Sequence, residues 1–204
     1  MGRYIQRRVS LKFPILIYLC VILSGCTITD YQNDLSKKTN CISDFAQVNY
    51  KTLSLDSKLD DEIGSKNSQC VNDRDGKVYI SGYITKASGK YISIVVHPNL
   101  GPSKSTFFLP VLMALDENNN YTVIKEAFVI KGSQIMHGSM YEYFYVIPHK
   151  KTNNFVVSTD ISLMGKLFDY EHLSSYDNRT ISHSKIPYAA GSKIEVKLMS
   201  KLPF

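Results

Sequence analysis

Residues 140–147 alternate without a break, with Tyr141, Tyr143 and Tyr145 on one side and Met140, Glu142, Phe144 and Val146 on the other. A period of two sends successive side chains to opposite faces of an extended chain, so this stretch is a strand with one face buried. The same period recurs at 78–84, 91–96 and 191–198, and 154–158 is a shorter strand. Residues 106–115 are almost continuously apolar, as a central strand would be, with Pro110 marking a bulge or edge. Residues 121–130 return as a strand with a break near Glu126 and Ala127. Turn residues separate these segments. Ala87-Ser88-Gly89-Lys90 predicts an antiparallel hairpin between 78–84 and 91–96, residues 97–103 are a cluster of breakers, and 116–120 form an acidic and asparagine-rich turn. Many short strands with such punctuation predict a mainly β chain, an antiparallel β-sandwich with one or two short helices. The 14 tyrosines and 9 phenylalanines suit that class, since an aromatic ring packs one side of a sheet and keeps a hydroxyl wet.

Two segments read as helical. Residues 57–63 have Asp56 or Ser57 as cap, acids near the start and Gly64 at the end. Residues 161–168 follow the caps Thr159 and Asp160 and carry Leu163, Met164, Leu167 and Phe168 as a core-facing stripe. Residues 169–187 read as a polar, mobile excursion.

The N-terminus sets the compartment. Arg3, Arg7, Arg8 and Lys12 precede an apolar run over 13–23, which at 11 residues is too short to span a bilayer as a helix needing about 20. Leu23-Ser24-Gly25-Cys26 closes it. Small residues at Ser24 and Gly25 fit a signal peptidase pocket, and Cys26 offers the thiol for a thioether to diacylglycerol. The pattern resembles bacterial lipoprotein precursors; an ordinary secretory signal or an uncleaved short anchor are the alternatives. One acyl chain holds a protein only reversibly, so the two or three chains such cysteines carry imply lasting attachment. Thr27 stands next to the cysteine where an aspartate would imply retention at the inner membrane, so the expected site is the outer membrane, facing the periplasm.

Cleavage before Cys26 divides the chain into a signal peptide over 1–25, a polar tether over 26–44 and a β-sandwich domain over 45–204. The net charge of +6 belongs largely to the signal, because without its four basic residues 20 lysines and arginines face 18 acids. No basic face remains for nucleic acid. The tether is rich in Asn, Asp, Ser and Lys, and its alternative is an ordered arm lying across the domain. Cys41 and Cys70 remain together in an oxidising compartment, where they can form one disulfide worth roughly 3.5 kcal/mol in the chain-entropy model. Unpaired thiols, or a metal site without a CxxC or histidine pair beside it, are the other readings.

No catalytic constellation is visible. The chain has no GxSxG elbow, no HExxH and no phosphate-cradling glycine loop, so no enzymatic activity and no cofactor or metal is expected. His97, His137, His149, His172 and His183 are scattered. Asn72-Asp73-Arg74-Asp75-Gly76 faintly resembles a calcium loop but lacks its closing glutamate and holds an opposing Arg74. Asp60, Asp61 and Glu62 read as solvated acids. Tyr141, Tyr143 and Tyr145 are the one candidate ligand-binding row: exposed, they would stack on sugar rings; buried, they are core.

Several segments together resemble the maltose operon periplasmic protein family. They are Leu53-Ser54-Leu55 followed by Ser68-Gln69, the run 108–118 ending in Leu115-Asp116, the step Phe155-Val156-Val157-Ser158-Thr159-Asp160, and Ile186-Pro187 before Gly191 and an alternating strand. The resemblance implies a non-enzymatic envelope protein linked to maltose or maltodextrin uptake. The lipobox and the cysteine pair depart from that family. Two functions are therefore expected: an accessory binding module, for carbohydrate, or a structural or assembly lipoprotein that binds another envelope protein. An aromatic-lined concave face would favour the first, and a long exposed apolar sheet edge the second.

Overall fold

A computed structural model describes residues 31–73, 76–86, 89–99, 105–134, 138–148, 152–173 and 181–203. The signal segment, the lipobox with Cys26 and Thr27, the tip of the calcium-like loop at Arg74 and Asp75, and Ala87 and Ser88 lie outside the described residues.

A short helix α1 (Tyr31–Lys37) and a 3-10 turn (Phe45–Gln47) precede the strands. These are β1 (Tyr50–Leu53), β2 (Lys58–Ile63), β3 (Gln69–Asp73), β4 (Gly76–Thr85), β5 (Tyr91–Val96), β6 (Pro110–Leu115), β7 (Tyr121–Ile124), β8 (Glu126–Gln134), β9 (Gly138–Val146), β10 (Asn154–Thr159), β11 (Leu167–Leu173), β12 (Ile181–Pro187) and β13 (Ser192–Met199). The first sheet runs β1-β4-β10-β6-β7, and β3 pairs the first half of β4 while β1 pairs its second half. The β1–β4 pairing is parallel and makes this sheet mixed. The second sheet, β2-β13-β5-β9-β8, is antiparallel throughout. β11 and β12 form a separate two-stranded ribbon.

Between the sheets lies the larger core. Tyr79, Tyr83, Phe155, Val157, Leu112 and Ala114 descend from the first sheet onto Ile92, Ile94, Val96, Ile194, Val196 and Leu198 of the second. A second core covers the first sheet's opposite face. There Val71, Val78, Ile80, Val156, Met113 and Leu115 pack under Val48, with Ile42, Phe45, Tyr50 and Ile161 at the margin. The roof is the N-terminal arm, and it comes close enough to need a glycine. A Cβ at Gly82 would sit 2.4 Å from Val48 Cγ1 and 3.0 Å from the Asn49 carbonyl oxygen, so a side chain there would lift the arm from the sheet.

The arm is stapled by the Cys41–Cys70 disulfide, which closes a separation of 29 residues. Ile42 bridges Val71 directly after it, through Ile42 N to Cys70 O at 2.8 Å and Asn72 N to Ile42 O at 3.0 Å. Leu35 of α1 is buried in the larger core. From residue 31 onward the expected polar tether is therefore an ordered arm belonging to the packed body.

The structure corrects four local expectations. Residues 58–63 are the edge strand β2, not a helix. Lys58, Asp60 and Glu62 face outward and Leu59, Asp61 and Ile63 inward, against the complementary alternation of β13. The expected helix over 161–168 shrinks to a 3-10 turn, Ile161–Leu163, before β11 begins; Asp160 caps that turn by accepting from Ser162 N at 2.8 Å. The excursion over 169–187 is mostly the β11–β12 ribbon. Strands 78–84 and 91–96 exist but do not pair. β4 lies between β10 and the β3/β1 pair while β5 lies between β13 and β9, because alternation specifies a strand without naming its neighbour. The expected turn at 116–120 holds: Asp116 accepts from Asn118 N at 2.8 Å and Asn120 N at 2.9 Å, joining β6 to β7.

Candidate functional site

The densest polar cluster lies where β2 closes one end of the sandwich. Asp61 occupies an inward position, opposite Ile194 across the strand pair, with its side chain almost fully buried. Its Oδ2 accepts from Ser81 Oγ and Tyr83 OH, each at 2.6 Å, and its Oδ1 from the Lys51 ammonium. Lys51 Nζ also donates to Ser81 Oγ at 3.2 Å. Lys51 comes from β1 and Ser81 and Tyr83 from β4, so one carboxylate on the second sheet gathers three donors from the first. Burial alone raises the Asp61 carboxyl, but the hydrogen bonds of Lys51, Ser81 and Tyr83 outweigh it and hold the group below the ordinary carboxylate range. Burial, with the Asp61 charge beside it, pushes the Tyr83 phenol up.

A lysine near a serine hydroxyl resembles the pairing that activates a nucleophile, but the proton inventory runs the other way. Ser81 donates its hydroxyl hydrogen bond to Asp61 and not to a base, and Lys51 is ion-paired with the same carboxylate. What this arrangement does is latch the two sheets. A second tie across the core is Tyr145 OH to the Pro110 carbonyl at 2.7 Å.

On the opposite face of β2 the charges meet solvent. Lys58 pairs with Glu195 and, at 3.4 Å, with Asp60, while His97 Nε2 lies 4.0 Å from Glu195. Two shallow clefts of about 420 and 450 Å³ run across this face, the first between Asp60, Glu62, His97 and Lys193, the second between Lys58, Ser93, Met140 and Lys197. Among the described residues, no group of three or more His, Cys, Asp or Glu side chains is placed to hold a metal ion.

Tyr141, Tyr143 and Tyr145 share the inward face of β9 and are 8%, 5% and 1% exposed. Burial raises the phenols of Tyr143 and Tyr145. Phe107 meets the Tyr141 ring edge-on at 5.0 Å, within a cluster that stacks Phe107 on Phe168 at 4.0 Å. The row is core: no ring face is open to a sugar. Cys41 and Cys70 are joined, and Cys26 lies outside the described residues.

Apolar side chains do reach solvent at the other end of the sandwich. β7 and β8, consecutive in the chain, are the edge strands of the two sheets. Tyr121 and Val123 on β7 are 44% and 52% exposed, and Val129 and Ile130 on β8 are 42% and 37% exposed. Phe45 of the arm meets the Tyr121 ring at 5.3 Å and ends the roof there.

Asp61, Lys51 and the β7–β8 edge are the features that reading along the sequence misses. Asp61 sits between two acids and looks like one more solvated carboxylate. Its one signal is its place between Leu59 and Ile63 in a period of two. The strand break near Glu126 does carry the edge's signature, since the chain changes sheets at Lys125. No family model matches this chain, and no curated protein and no solved structure matches it either.

Proposed function

We propose that this chain is a lipoprotein anchored through Cys26 to the periplasmic face of a bacterial outer membrane, and that its sandwich is a non-enzymatic module binding another envelope protein. The exposed apolar side chains of Tyr121 and Val123 on the edge strand β7 carry this reading. Side chains of that kind at a sheet edge suit a protein partner better than a small sugar. The Cys41–Cys70 staple supports an oxidising compartment, and it fixes the chain between the anchor and the sheet, so that a pull on the lipid end meets a cross-linked arm. A carbohydrate role linked to maltodextrin uptake rests on the sequence resemblance alone, because the tyrosines that would serve it are buried.

Fractionation of cells expressing the chain and its Cys26→Ala variant tests the reading. Wild type is expected in the outer-membrane fraction and the variant outside it. Equal distribution of the two would remove the anchor. In-cell crosslinking from a photoreactive residue at Val123 should then capture one envelope protein reproducibly, and a Tyr121→Asp change added to that chain should abolish the capture.

A further inference from the structure

We infer that β8 is a self-pairing edge: two copies of this chain associate by antiparallel β8–β8 addition about a two-fold axis through Val129, joining their second sheets into one. Among the described residues no strand pairs the outer side of β8, the last strand of its sheet.

The register of β8 points to a second copy as its occupant. On β8, Val129 and Lys131 lie opposite Tyr143 and Tyr141 and so share the inward face, while Phe128 and Ile130 lie opposite Phe144 and Glu142 and share the outward one. A regular strand would put Ala127 next in the inward series. Instead the register shifts between Glu126 and Phe128, and Glu126 takes the place opposite Tyr145. The bulge therefore moves Glu126 into the inward row, two places along from Val129 on the side away from Lys131.

Residues directly opposite in an antiparallel pair must share a face. With the axis on Val129, that residue meets its own copy. Phe128 meets Ile130 of the other copy on the outward face, and Glu126 meets its Lys131 on the inward face. Every pair is complementary. An apolar centre is flanked by two equivalent Glu126–Lys131 pairs, and the two-fold operation generates both at once, as an isologous contact requires. Without the bulge Lys131 would face Ala127 and the charges would not meet. The exposure of Val129 and Ile130 in the single chain is what this pairing removes.

The pairing concerns β8 alone and does not depend on the lipid anchor; a failure here leaves the fractionation result standing, and the reverse. Sedimentation equilibrium of the full chain in density-matched detergent tests it. Wild type is expected to show a concentration-dependent monomer–dimer equilibrium. Lys131→Glu or Glu126→Lys alone sets like charges opposite each other and should weaken association at least ten-fold. The double variant Glu126→Lys/Lys131→Glu restores opposite signs and should recover the dimer. Val129→Cys should form an intermolecular disulfide across the axis under mild oxidation, with circular dichroism confirming that each variant folds. A chain that stays monomeric at all concentrations, as it would if the edge takes only a foreign strand, overturns the inference. So does a double variant that behaves like either single one.

Discussion

The two sheets share one core but differ in their outer faces. The first is apolar on both sides and is roofed by an arm that a disulfide ties down; the second is apolar inside and covered outside with Lys58, Asp60, Glu195, Lys193 and Lys197. The first sheet is thus an interior layer, closed to partners except where its roof stops at Phe45. The second is an outer wall whose other face is mainly charged and solvated, apart from Phe144 buried under Phe128. Covering a sheet twice fixes it; covering it once leaves it available.

That contrast sets the size of mutational effects. Ile80, under the arm, is as buried as residues between the sheets, so Ile80→Ala is expected to cost about 2–5 kcal/mol by urea denaturation. A loss below about 1 kcal/mol would mean the arm is not a true second layer. Removing the staple with Cys41→Ser/Cys70→Ser should cost about 2–4 kcal/mol. Amide exchange should rise first at Val48 and at Val78 and Ile80 beneath it, while β5 and β13 stay protected.

Asp61→Asn comes next, at about 1–3 kcal/mol, since it weakens the acceptor for Lys51, Ser81 and Tyr83. Its pH dependence follows from the depressed carboxyl. Stability from Asp61 is fully present above the unfolded value of about 3.9 and is lost as pH falls through the lower folded value. The gap between wild type and variant should therefore be largest near pH 7 and close in acid; a gap independent of pH would show that packing, not charge, is what the residue supplies. On the outer face of the same strand, Lys58→Ala should leave the denaturation midpoint unchanged within error, since a solvated pair contributes little.

How much of this was legible along the chain depended on whether a residue obeyed its local period. β9 and β13 alternate strictly, and both appear where the alternation places them. The Asp116 turn and the Asp160 cap are local hydrogen-bond chemistry, equally readable. β2 is unreadable because Asp61 interrupts its apolar row, and the reason for that interruption, three donors from the other sheet, lies 10 to 22 residues away. Strand partners escape for a related reason. Nothing within 78–96 reveals that β4 and β5 belong to different sheets. The tyrosines of β9 were ambiguous between core and ligand surface until the opposite sheet was in place. The self-complementary edge shows only after the bulge has been located, because sequence spacing alone puts Glu126 on the wrong face.

The stapled arm and the proposed lipid anchor meet in one measurement: the intact mass of the membrane-extracted protein, with and without reductant. The expected species starts at Cys26, carries two or three acyl chains, and gains two protons on reduction as Cys41 and Cys70 separate. A species without lipid, or one still carrying residues 1–25, would contradict the anchor, and a mass unchanged by reductant would contradict the staple.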